Sequence, residues 1–324
     1  MTRFTNWIAA GVLSLAAGLS GAQAQTYPTR PITMIVPFAA GGPSDAIARL
    51  VGQSMTATLG QQVVIENIAG AGGTAGAARL AKAAPDGYTL LIHHVALAAG
   101  AALYSKLSYD TTTAFETVGL VNYGPMVVLT KKDYPAGTIG ELITKLKADG
   151  EKTTVAHAGV GSNSHLCALL LQKALGVKFT EVGYRGTGPA MNDLMGGQVD
   201  MLCDQSTTAV PQIQGKTVKG FAVTSKERLP VLSDLPTLQE AGLKGFEFVI
   251  WHGLYAPKGT PADVVSKLNA ALQKALNDPT IQTRFADVGT AVFPAADRTP
   301  AAHLKRFEAE IATWKSVINT PTDK

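Results

Sequence analysis

The sequence predicts an α/β fold of two domains joined by two hinge crossings, and three observations carry that expectation. Short apolar runs alternate with helical patterns, the signature of strands linked through crossover helices. Several runs end in a glycine-rich turn that opens a helix, which is where open α/β sheets bind ligands. Twice, near Phe115 and near Phe246, the alternation gives way to a long extended stretch, as if the chain leaves one domain and later returns to it. The expected division is a signal peptide over 1–24, a discontinuous first domain over 25–125 and 247–324, and a second domain over 126–246.

At the N-terminus, Arg3 supplies a short basic segment, Trp7 to Leu19 an apolar one, and Ala22-Gln23-Ala24 a small-residue cleavage site. This reads as an export signal, with the mature chain starting near Gln25. No continuous apolar run of about 20 residues follows, so no membrane-spanning helix is expected. The chain has 324 residues and a formal net charge of +4, without clustered Lys or Arg. Nucleic acid is therefore not an expected partner. Cys167 and Cys203 are the only cysteines. Two buried thiols are the simpler expectation, and in an oxidising compartment one bridge is the alternative.

The opening unit is the strand Thr33 to Val36, the turn Pro37 to Asp45 and the helix that starts at Ala46. Such a turn leaves unpaired N–H groups pointing at one spot with the positive end of the helix behind them. Gly41 and Gly42 allow close approach, Pro43 suits a first helical turn, and Ser44 or Asp45 can cap it. A strand over Gln62 to Glu66, a second glycine-rich turn over 67–74 and a helix over Ala75 to Ala83 repeat the plan. A third strand, Tyr88 to Ile92, ends in His93-His94. The extended run Val118 to Leu129 is the first crossing. Beyond it come a helix over Ile139 to Ala148, a strand over Thr153 to Ala156, and the turn His157 to His165 opening a helix over Leu166 to Leu175. Phe179 to Val182 is a strand, Ala190 to Met195 a helix, Val199 to Asp204 a strand with Asp204 at its end, and Val218 to Thr224 another strand. Phe246 to Ala256 returns, and amphipathic helices over Asp263 to Leu276 and Pro300 to Thr320 close the chain.

The enzymatic patterns are incomplete. Gly70 to Ala75 outlines a dinucleotide turn, yet the next strand ends in His93-His94 where a ribose-binding acid belongs. Ser162, Ser164 and His165 lack the nucleophile-elbow sequence. The six histidines, at 93, 94, 157, 165, 252 and 303, have no metal-ligand spacing. No catalytic residues, cofactor or metal are expected, and His303 on the last helix is expected to be solvated.

Tyr27 to Ile32, Ile35 to Asp45, Ala84 to Leu91, Ser162 to Leu166, Tyr184 to Ala190, Gly196 to Asp200 and Leu235 to Gly242 together resemble, in order, the receptors of tripartite tricarboxylate transporters, the Bug family of periplasmic solute-binding proteins. The resemblance implies a type II periplasmic binding-protein fold, a monomer that closes on a small-molecule carboxylate and delivers it to a membrane transporter. It implies ligand contacts from Ala40, Gly41, Ser44 and Asp45 on the first domain. On the second it implies Gly161, Ser162, Asn163 and Ser164, with Asp204 organising loops and water. Departures fall at His93 and His94, where many relatives carry small hydroxyl residues, and at Asn67-Ile68-Ala69. They suggest that an imidazole, helped by Arg185 or His252, meets a second carboxylate, with Trp251 or Tyr123 flanking an aromatic ring. The expected ligand is an aromatic dicarboxylate of the terephthalate type; an aliphatic di- or tricarboxylate, or presentation to a membrane sensor kinase, is the alternative.

Overall fold

The structure, a computed structural model, describes residues 27–319; the export signal expected over 1–24 lies outside them. In chain order the main elements are β1 (Ile32–Val36), α1 (Pro43–Leu59), β2 (Val63–Asn67), α2 (Thr74–Ala81), β3 (Thr89–His94), α3 (Ala96–Leu103) and β4 (Phe115–Lys131). Then come α4 (Ile139–Asp149), β5 (Thr154–His157), α5 (Asn163–Leu175), β6 (Thr180–Gly183), α6 (Thr187–Met195), β7 (Met201–Gln205), α7 (Ser206–Gln214) and β8 (Val218–Val223). The last are β9 (Val249–Pro257), α8 (Ala262–Leu276), α9 (Pro279–Asp287), β10 (Ala291–Val292) and α10 (Pro300–Asn319).

The strands run in the order β2-β1-β3-β9-β4-β7-β5-β6, with β8 and β10 also on β4. At one end β1 pairs in parallel with β2 and β3; at the other β5 pairs in parallel with β6 and β7. The middle is antiparallel, because β4 carries the chain from the first group to the second and β9 brings it back. Phe115 to Pro125 of β4 pair with β9, while Met126 to Thr130 pair with β7. The expected parallel sheet is thus present at both ends and interrupted by the crossings.

β1 shows why the strands are apolar throughout. Ile32, Met34 and Val36 pack with Ile47, Val51 and Met55 of α1 and Leu268 and Leu272 of α8, whereas Ile35 joins a cluster on the opposite face. A strand covered on both faces has no solvent side, so period-two alternation disappears from the sequence. The α1 residues recur every four positions and form one apolar stripe. Each fully buried side chain of this kind contributes about 1.5–3 kcal/mol.

Three helices escape the sequence reading. α3 is alanine-rich and buried at Ala96 to Gly100, so it has no polar face to reveal a period. α7 begins with three hydroxyl residues and contains Pro211, both usual signs of a loop. α9 is a short helix starting at Pro279 under an Asp278 cap. No helix among the described residues is long and apolar enough to cross a membrane.

Two expectations are corrected here. His303 is fully buried, because it lies on the same α10 stripe as Phe307, Ile311 and Trp314 and packs against Tyr255 at 4.5 Å between ring centres. Gly253 is what admits it: a Cβ there would sit 2.2 Å from the His303 ring. Cys167 on α5 and Cys203 on β7 are not free thiols; they form a disulfide with Cα atoms 6.1 Å apart. Their 36-residue separation in sequence corresponds, in the chain-entropy view, to about 4 kcal/mol. A Cys167→Ala/Cys203→Ala variant should therefore lose about 4 kcal/mol in denaturant unfolding, and a loss below about 1 kcal/mol would show that the bridge does not restrain the unfolded chain.

Candidate functional site

Four helices begin around one cavity. Gly42, Pro43 and Ser44 open α1, Ser162, Asn163 and Ser164 open α5, Thr187 opens α6, and Asp204 and Gln205 lead into α7; all of them line it. Phe38, His94, Met126 and Ala158 complete the wall. Each helix start presents N–H groups that have no intrahelical partner and about half a positive charge. No Lys or Arg lines the cavity among the described residues. Its positive potential therefore comes from backbone and hydroxyl dipoles, the chemistry of an anion site. The cavity is small, about 20 Å³, room for roughly one water.

On the first group of strands, the turn after β1 is locked from below. The Asp45 carboxylate accepts from Gly41 N at 3.1 Å, from Asn67 Nδ2 at 3.0 Å, and from Arg49 through Nε at 3.0 Å and a terminal nitrogen at 2.9 Å. Burial alone would raise its pKa, but Arg49, Gly41 and Asn67 together hold it below the usual carboxylate range. Asp45 thus orders the loop and does not line the cavity. Ser44 does line it, with its hydroxyl 3.0 Å from His252 Nε2.

The two histidines after β3 divide in role. His94 stacks on Phe38, ring centres 4.8 Å apart and planes 19° apart, and forms part of the wall. Its Nδ1 accepts from Ala96 N at 3.2 Å, so in the neutral ring Nε2 carries the proton and is the available donor. His93 sits behind it, edge-on to Phe38 at 5.8 Å, with Nδ1 accepting from His94 N. Burial pushes His93 and His252 down to about 3 and His94 well below the ordinary imidazole value. All three rings are therefore neutral at physiological pH.

On the second group, Ser162 caps α5 by accepting from His165 N, and its hydroxyl lies 3.1 Å from that of Ser164, which accepts from Ala158 N at 2.8 Å. Asn163 Oδ1 is buried with no partner among the described residues. Gly161 N donates to His165 Nδ1 at 3.1 Å, so, like the Gly41 amide, it is engaged within its own loop. Gly161 adopts φ +79°, in the left-handed region that glycine tolerates. Asp204 is buried, accepts from Thr208 Oγ1, and has its pKa pushed up to about 7 by desolvation.

Of the residues expected at the site, Ser44, His94, Ser162, Asn163, Ser164 and Asp204 meet at the cavity. Ala40 and Gly41 line a neighbouring open groove against α6 and α7. Arg185 lines neither; its carbonyl accepts from Ala39 N at 3.1 Å and its guanidinium approaches the Ala69 carbonyl at 3.5 Å. Trp251 and Tyr123 do not flank the cavity. Trp251 is core, donating to Glu310 at 3.1 Å, and Tyr123 packs on Phe293. Thr187 and Gln205 are cavity residues that the sequence reading lacks; the Gly186-Thr187-Gly188-Pro189 turn is a signal for the first, whereas Gln205 leads into α7, a helix the sequence does not announce. The two lips touch: Tyr104 Oη reaches the carbonyls of Ala71 at 3.0 Å and Val160 at 2.6 Å.

Known proteins resemble this chain over most of its length. A family described as tripartite tricarboxylate transporter family receptor matches residues 47–321. A protein encoded in the TAR-I ttuE-ttuC' intergenic region of Agrobacterium vitis is 50% identical over 299 residues, 92% of this chain and 86% of that one. The solved structure of the periplasmic binding protein BugD superposes with a TM-score of 0.88 at 46% identity, covering 90% of this chain and 97% of its own. MatC from Rhodopseudomonas palustris, solved with bound malate, gives a TM-score of 0.88 at 42% identity, covering 90% of this chain and 100% of its own.

Replacing Asp45 by Asn should cost roughly 2 kcal/mol, the scale of a buried charge-assisted network. Because the folded pKa is lowered, the wild-type contribution is present above the unfolded value of about 4 and is lost as pH falls through the folded one. Urea titrations from pH 3 to 7 should show an acid limb in the wild type that shrinks in Asp45→Asn; equal limbs would assign the loop's order to other contacts.

Proposed function

The chain belongs to the family of tripartite tricarboxylate transporter receptors, periplasmic solute-binding proteins rather than enzymes, and we propose that it captures a small dicarboxylate between its two strand groups and hands it to a membrane transporter of the tripartite type. The observation that carries this is the convergence of α1, α5, α6 and α7 on one cavity furnished with the Ser44, Ser162 and Ser164 hydroxyls. Two of these helix starts, at least, come from opposite sides of the cleft, so neither side alone makes the site. In this reading residues 25–125 with 247–324 form one jaw, 126–246 form the other, and residues 1–24 direct export.

The cavity leaves room for about one water, so a short ligand requires the least displacement of its walls. This favours a four-carbon dicarboxylate, in keeping with the malate held by MatC. The Phe38–His94 stack offers a flat aromatic wall and supports terephthalate as the second reading. Titration calorimetry of the mature protein should give micromolar or tighter binding of malate, with terephthalate weaker by about tenfold or more. The reverse order would establish the aromatic ligand, and heat from neither would overturn both ligand assignments.

Closure has its own test. A Cβ at Gly188, in the first turn of α6, would lie 2.6 Å from the Ala40 carbonyl across the cleft. Gly188→Ala should leave folding intact, since alanine favours the helix by about 1 kcal/mol. It should nevertheless weaken ligand binding by about 5- to 150-fold, the equivalent of 1–3 kcal/mol of overpacking in the closed form. Unchanged affinity would mean that binding does not need these lips to meet.

A further inference from the structure

The cavity contains one group that does not suit an anion. Asp204 is buried at the end of β7 and shares the cavity with Ser44, Ser162, Ser164 and His94. Its partners are a hydroxyl, Thr208 Oγ1, and the Gln205 backbone, and it takes part in no ion pair among the described residues. An ionised carboxyl here would face an incoming carboxylate with no countercharge to separate them, which is unfavourable in a site closed to water.

The neighbours offer no cation. Across the sheet, β4 presents Val127 opposite Asp204. From the first strand group, His94 lines the cavity and His252 and His93 lie behind it, all three kept neutral by burial. Asp45 is held by Arg49, whose guanidinium is committed to it. Under the start of α5, His157 and His165 are also pushed down by burial, and Glu181 lies 3.5 Å from His165 Nε2. Desolvation outweighs the lowering effect of the Thr208 and Gln205 hydrogen bonds and pushes Asp204 up to about 7, so neutral pH lies within its titration range.

We propose that Asp204 carries its proton when the ligand is held, so that capture of a dicarboxylate takes up a proton from solution and weakens as the medium becomes alkaline. The proton removes the repulsion and turns the carboxyl from an acceptor into a donor toward the ligand. A bound anion raises the folded pKa of Asp204 further, so affinity is full below the unliganded value and falls as pH rises through it, by up to about tenfold per pH unit. Growth in an alkaline medium would then demand a higher ligand concentration for capture.

This rests on the dicarboxylate reading of the same cavity, and the test separates the two. Calorimetry of the wild-type protein with malate, run at pH 7.5 in two buffers of different ionisation enthalpy, reads proton uptake directly. About 0.5–0.9 proton per malate is expected at that pH. From pH 6.5 to 9 the wild-type Kd should rise more than tenfold, while Asp204→Asn, which keeps a neutral donor, should bind with a Kd that changes by less than about threefold over the same range. Malate binding with no proton uptake, or an Asn variant that keeps the wild-type slope, would overturn the proton linkage and leave the receptor standing. No heat with any dicarboxylate at pH 6.5 would overturn the receptor reading and this proposal with it.

Discussion

The arrangement of the molecule depends on one electrostatic constraint: four helix N-termini, drawn from both groups of strands, must point at the same small space. A single helix end stabilises a nearby anion by about 0.3–1 kcal/mol, rising to about 2 when partly buried. Only several together, with hydroxyl donors and without bulk water, reach the affinity a receptor needs. The sheet topology supplies this. Parallel strands all end on the same edge, so the helices that follow β1, β5, β6 and β7 start beside one another, and β4 with β9 brings the two edges face to face.

A second layer of contacts keeps those helix starts in place. Asp45 ties Gly41, Arg49 and Asn67 into one network beneath the first turn, and the Ser162–Ser164–Ala158 hydrogen bonds do the same for the second. The Cys167–Cys203 disulfide joins α5, which carries Asn163 and Ser164, to β7, whose next residue is Asp204. The bridge thus fixes the distance between two parts of the same wall. Selectivity without a cation has a corollary: charge balance falls to protons, and Asp204 is the group positioned to supply one.

Much of the fold was legible because its signals are local. The strand–turn–helix units announce themselves through glycine, proline and hydroxyl residues at the turns, and the crossings through their length. What stayed hidden depends on tertiary context. His303 was legible in principle, since it shares a four-residue spacing with Phe307 and Ile311, but only the neighbouring Gly253 explains how an imidazole fits there. His93 and His94 are adjacent in sequence, yet one walls the cavity and the other supports it, because successive strand residues point to opposite faces. The disulfide could not be read from a 36-residue spacing, which says nothing of Cα distance. Asp45 looked like a cap or ligand contact from its position, and the Arg49 and Asn67 partners that occupy it come from one turn later and from another strand.

The most direct measurement is a crystal structure of the protein with malate. A carboxylate should lie within hydrogen-bonding distance of Ser44 on one side and of Ser162 or Ser164 on the other, at the meeting point of α1 and α5, with the lips around Gly188 and Ala40 closed over it. A ligand found in the outer groove between α6 and α7, or held by one strand group alone, would contradict the convergence of helix ends as the basis of binding.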